Sequence, residues 1–115
     1  MADRIPTLRR KSLTVGSLAS NCHLLFTRES ASAVVCDPGA DPEAIIETLE
    51  ALSLTVEAFF LTHAHIDHIG ALAALKRAYP EAPVYLHAEE HAWLTDSMLN
   101  GAKWLGLPYE PVSGA

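Results

Sequence analysis

Apolar positions in this chain follow two periods in turn, and the switches between them mark out its elements. Ser12–Leu18 and Asn21–Thr27 predict two strands joined by a short turn. Arg28-Glu29-Ser30-Ala31 is polar enough for a hairpin loop, and Ser32–Cys36 predicts the returning strand, ended abruptly by Asp37-Pro38-Gly39. The period then lengthens. Ile45, Ile46, Leu49 and Leu52 share one helical face, with Glu43, Glu47 and Glu50 away from it. Asp41-Pro42-Glu43 has the form of a helix start, Asp41 as N-cap and Pro42 at the first helical position, and the helix should end near Ser53. Glu57–Thr62 predicts a strand with Phe59 and Leu61 on one face and Ala58 and Phe60 on the other, so apolar on both sides and suited to burial on both. Ile69, Leu72 and Leu75 recur at helical spacing, predicting a helix from about Asp67 to Tyr79 that stops at Pro80. Pro83–His87 predicts a short strand, Glu89–Leu94 and Ser97–Leu105 two short helices, and Pro108 and Pro111 a closing loop. Strands alternating with helices argue an α/β layered architecture.

Composition narrows the class. Half of the 115 residues are hydrophobic and 19% are charged, which fits one globular domain and excludes a disordered chain. A net charge of −6 argues against nucleic acid as a partner. Arg4, Arg9, Arg10 and Lys11 are half of the eight basic residues, so residues 1–11 read as a solvated basic arm before a domain spanning 12–115. No apolar stretch is long enough for a signal peptide or a membrane span, so no membrane partner is expected. Cys22 and Cys36 lie in strand-like runs outside any Cys-x-x-Cys pattern, which predicts two free thiols in a cytoplasmic protein.

The chemistry is concentrated in Thr62-His63-Ala64-His65-Ile66-Asp67-His68-Ile69-Gly70. Three imidazoles and a carboxylate fall within six positions, on a turn between a buried strand and a helix. In extended chain His63, His65 and Asp67 can converge on one side, while His68 opens the helix and approaches from another angle. Imidazole and carboxylate together suit zinc, iron or manganese, and a catalytic site keeps a position open for water. This set exceeds what one tetrahedral ion takes from a single loop. It points to two metals, with His63 and His65 on one ion and Asp67 and His68 on the other.

His63-x-His65-x-Asp67-His68, with Gly70 in the following helix, resembles the metal-binding motif of the metallo-β-lactamase superfamily. Ser20-Asn21-Cys22-His23-Leu24, Val35-Cys36-Asp37-Pro38-Gly39 and Pro83-Val84-Tyr85 agree in order and spacing with its glyoxalase II-like branch, the hydroxyacylglutathione hydrolases. The resemblance implies the N-terminal half of a four-layer αββα sandwich: a mixed sheet with helices on one face. It implies a metal-dependent hydrolase of a small-molecule thioester such as S-(2-hydroxyacyl)glutathione, using metal-bound hydroxide. Zinc is the expected cofactor, two ions per complete domain, with iron or manganese as alternatives.

Asp67 is then both ligand and catalytic residue, orienting the hydroxide, and Asp37 accepts a hydrogen bond from a ligating imidazole. Asn21 and His23 match the branch without an assignable role. Family members carry a further histidine, a bridging aspartate and a last histidine downstream. Here only His87 and His91 follow, too early to be those ligands, and they are read as solvated or supporting histidines, with an accessory metal site on a shared helical face as the alternative. The chain is therefore expected to be the N-terminal part of a longer protein. Alone it is expected to be inactive, its partner being the missing C-terminal half of the domain or, failing that, itself by self-association. The alternatives are an iron-dependent oxidoreductase of the same fold, of persulfide dioxygenase or flavodiiron type, or a non-catalytic metal-binding fragment.

Overall fold

A computed structural model of the chain describes residues 8–17, 19–27, 29, 31–62, 66–86, 90, 93–94, 100–101 and 112; for Ile66 and Asp67 it describes the backbone alone. Five strands form one mixed sheet in the order β1-β2-β3-β4-β5. They are β1 (Leu8–Val15), β2 (Ser20–Thr27), β3 (Ser32–Cys36), β4 (Thr55–Phe60) and β5 (Val84–Tyr85). Helix α1 (Pro42–Ala51) connects β3 to β4, and α2 (Ile66–Ile69) with α3 (Leu72–Ala78) connects β4 to β5. The first three strands pair antiparallel and the last three parallel, because hairpins join the former and helical crossovers the latter. The expected strand and helix order is present, as is the mixed α/β sheet.

The helices pack on one face. Cys22, Leu24, Ala33, Val35, Phe59 and Val84 from the strands join Ile45, Leu49, Leu72 and Leu75 from the helices in a single buried cluster. The alternation along β2 and β3 turns His23, Leu25, Val34 and Cys36 to the opposite face, where exposure is partial. Phe60 and Tyr85 lie on that second face too, 44% and 54% exposed, their rings in an edge-to-face pair with centroids 5.2 Å apart. Burial of β4 on both sides, expected from its apolar residues, is thus met at Phe59 on one face and Ala58 on the other, and fails at Phe60.

Two expectations need correction, and a third, the free thiols, is met for another reason than the one expected. Leu8 to Lys11 are not an arm: they are strand residues, paired with Thr27 to Leu24 along β1's full length. Their basic side chains are exposed at the sheet edge, where charge discourages pairing with another chain. The single helix expected from Asp67 to Tyr79 is two, broken at Gly70–Ala71, where the Ala71 N–H donates to the Pro38 carbonyl at 2.9 Å. Cys22 and Cys36 are free, and their freedom has a geometric cause. Cys36 lies opposite His23, so Cys22 points to the other face of the sheet and no disulfide can join them. Two free thiols therefore say nothing about the redox compartment. Among the described residues, no helix is long and apolar enough to cross a membrane.

Candidate metal centre

The parallel strands β3 and β4 end side by side, and the chemistry gathers at that edge. One rung beyond Cys36, the Asp37 N–H donates to the Phe60 carbonyl at 3.0 Å, extending the ladder to the first loop residue. Asp37 then leaves the strand with φ at 54°, a left-handed conformation that Asp tolerates better than most residues. The residue is only 5% exposed. Oδ1 accepts the Thr62 N–H at 2.8 Å, and Oδ2 accepts the Thr62 hydroxyl at 2.7 Å.

His68, on α2, brings its Nδ1 to 3.3 Å from the same Oδ2. A carboxylate facing Nδ1 favours the tautomer protonated there, which leaves the ring's lone pair on Nε2. Nδ1 facing the Asp37 carboxylate at ion-pair distance approaches the arrangement a metal-ligating imidazole needs: one nitrogen towards an acceptor, the other a donor of electrons. The donors of this turn and the orientation of His68 fit a divalent ion.

Of the residues singled out in the sequence, Asp37 and His68 are brought together. Asp67 lies on α2, one position before His68, with only its backbone described. His63, His65, His87 and His91 fall outside the described residues. Among the described residues, no group of three potential ligands forms a metal site by itself. Asn21 and His23 make cross-strand contacts to β1: Thr14 Oγ1 reaches Asn21 Oδ1 at 3.5 Å, and Ser12 Oγ lies 2.8 Å from His23 Nδ1.

Sequence reasoning missed Thr62, whose backbone and hydroxyl both hold Asp37. A hydroxyl placed between an apolar strand and the first candidate ligand was the available signal. It also missed the link from Ala71 to Pro38, which ties the far end of α2 to the Asp37 loop.

The environment beside the centre disfavours negative charge on sulfur. Burial, then the nearby Asp37 carboxylate, pushes the Cys36 thiol upward. Cys36 is therefore a neutral thiol at physiological pH rather than a ready nucleophile or ligand.

Comparisons with known proteins point the same way. Residues 15–114 match the family model described as the metallo-beta-lactamase superfamily. The hydroxyacylglutathione hydrolase GloC of Haemophilus influenzae is 32% identical over 96 residues, covering 84% of this chain and 44% of that protein. The crystal structure of the BLEG-1 B3 metallo-beta-lactamase superposes with a TM-score of 0.84 at 40% identity, over 91% of this chain and 50% of that one. TTHA1623 in a di-iron-bound form superposes with a TM-score of 0.73 at 34% identity, over 90% and 54%. The chain spans about half the length of such relatives.

Proposed function

The chain belongs to the metallo-beta-lactamase superfamily, and on that premise we propose that it carries the first part of the catalytic centre of a metal-dependent thioester hydrolase. The observation that supports this most is the contact of His68 Nδ1 with a carboxylate already fixed by both donors of Thr62. An imidazole held at Nδ1 presents Nε2 in one direction, which a solvated histidine would not do.

In this reading His63 and His65 hold one ion, and Asp67 and His68 the other. When bound, the metals supply Lewis acidity and bring the acidity of a water into the neutral range. The protein's share is positional. Asp37 keeps the His68 ring from rotating, and Thr62 keeps Asp37 from turning to solvent. Asp67, as a carboxylate, orients the attacking water by accepting its proton's hydrogen bond. Water adds to the thioester carbonyl, the C–S bond breaks, and a carboxylic acid and a thiol leave. The substrate class, S-(2-hydroxyacyl)glutathione, rests on the relative named for that activity.

Two observations favour competing readings. A 40%-identical neighbour is a B3 metallo-beta-lactamase, so a β-lactam ring is the alternative acyl substrate. Another neighbour holds two irons, so iron can replace zinc, with oxidoreductase chemistry as the alternative class.

The test takes the full-length protein, measures bound metal by elemental analysis, and follows thiol release from S-lactoylglutathione. Wild type should carry two ions and release thiol, His68→Ala should lose about one ion, and Asp37→Ala should weaken metal binding about 10–100-fold. Ring opening of a penicillin without thiol release would overturn the thioester reading. Iron content with oxygen consumption on a persulfide would overturn the hydrolase.

A further inference from the structure

The five-residue segment from Asp37 to Asp41 is held from several sides at once. Its first residue continues the β3–β4 ladder through the Phe60 carbonyl. Pro38, fully buried, accepts from the Ala71 N–H between α2 and α3. The Asp41 carbonyl accepts the first bonds of α1, from the N–H groups of Ala44 and Ile45. Asp37 and Asp41 both have φ at 54°, so the segment bends through left-handed conformations at its two ends.

Asp41 stands at the N-cap of α1, where an aspartate ordinarily accepts a backbone N–H from its own first turn. It does not do so here: no side-chain bond caps the helix. Its Oδ2 accepts instead from the N–H of Gly16, in the turn between β1 and β2, at 2.9 Å. Gly16 is built for this approach. Its φ is 71°, and a Cβ added there would lie 2.8 Å from the Cβ of Ala40. The turn can come near enough to clamp the segment only because position 16 has no side chain.

We propose that Asp41, clamped by Gly16, is a positioning residue for the Asp37–His68 pair. Three residues separate Asp37 from Asp41, and one of them is a buried proline with a fixed φ, so little slack lies between the clamp and the carboxylate. A shift of the segment's exit is passed to its entry, where Asp37 must meet Thr62 and His68 together. The inference rests on the reading of His68 as a metal ligand, but it concerns the imidazole's orientation and can be read without metal.

Asp41→Gly removes the acceptor while keeping both an acceptable N-cap and the left-handed backbone. Asp41→Asn retains an acceptor and tolerates the same conformation. Each variant of the full-length protein is compared with wild type by zinc affinity, using chelator competition, and by the ¹⁵N shifts of the His68 imidazole in metal-free protein. Asp41→Gly should weaken zinc binding at the site served by His68 by up to about tenfold, at the low end for groups that orient a ligand. It should also move the His68 shifts away from the single Nδ1-protonated tautomer, with Asn restoring both. Gly16→Ala should act in the same direction, and the pair should be less than additive.

Wild-type zinc affinity and unshifted His68 resonances in Asp41→Gly, whatever happens to the unfolding midpoint, would overturn the proposal. So would an Asp41→Asn variant as impaired as Asp41→Gly. If wild type binds no zinc, the metal-ligand reading of His68 fails by itself, and the resonances of the metal-free protein still decide the clamp.

Discussion

Asp37 and Cys36 are neighbours in sequence with opposite demands on their surroundings. Asp37 is buried as an acceptor with its donors supplied, whereas Cys36 and the more deeply placed Cys22 have no comparable compensation for charge. Burial, reinforced by Cys36 and Asp37, pushes the Cys22 thiol from its ordinary value of 9.0 up to about 12. The sign of the consequence follows from linkage. Below pH 9 both folded and unfolded chains keep the proton, so Cys22 adds no pH dependence. Between pH 9 and about 12 the unfolded chain releases it first, and the native state loses stability at about 1.4 kcal/mol per pH unit. Cys36 and Tyr79, both shifted upward mainly by burial, add slopes of the same sign. Urea midpoints measured from pH 8 to 11 should therefore fall, and Cys22→Ala should flatten the fall by about one proton. An unchanged slope in that variant would show that Cys22 ionises freely in the native state. At this scale Asp37 was legible as a support for an imidazole only through the family resemblance, since an aspartate before Pro38-Gly39 reads equally well as a turn residue. The sequence did not reveal the cysteine geometry: position within a strand says nothing of register until the partner strand is placed.

At the scale of elements, the period-3.6 pattern located α1 and α3, because their buried residues, Ile45 and Leu49 in one and Leu72 and Leu75 in the other, are the ones the pattern selects. The break between α2 and α3 was invisible to it. Ile69, Leu72 and Leu75 keep helical spacing across the break, and the interruption comes from a tertiary hydrogen bond to Pro38. The start of β1 was missed for a related reason. Arg9, Arg10 and Lys11 carry no apolar alternation, and only pairing with β2 makes them a strand. Helix α3 anchors the segment that carries His68, so its packing should be worth a full core residue. Leu72 is completely buried, and Leu72→Ala should cost about 2–5 kcal/mol in chemical denaturation. A cost well below 1 kcal/mol would mean that α3 is only loosely docked and cannot steady α2. Its C-terminal end is held too, by Lys76 donating to the carbonyls of Pro80 and Ala82 at 3.3 and 2.6 Å.

For the molecule as a whole, the decisive feature is the asymmetry of the sheet. One face is sealed by the helices. Across the other, the strand register sets Ser12, His23, Cys36, Phe60 and Tyr85 in a single row through all five strands. The row turns from polar at the β1 edge to aromatic at the β5 edge, where Phe60 and Tyr85 are about half exposed. Among the described residues this face is partly exposed, with Ala58 its buried exception. The chain also spans about half the length of its relatives, and exposed apolar side chains side by side favour association. The turn that follows β4 leaves the sheet beside the end of β3, next to Phe60 in this row, and charge stabilisation at a turn open to bulk water would be weak. We therefore expect the 115-residue chain alone to self-associate or to dissolve poorly, and to hydrolyse thioesters no faster than free zinc does. Expression of this chain with light scattering and a zinc-supplemented assay checks both expectations. Replacing Phe60 and Tyr85 by polar residues should reduce the association without restoring turnover, since it hides apolar surface but supplies no ligands. A compact monomer with zinc-dependent turnover would show that the turn needs nothing beyond these residues.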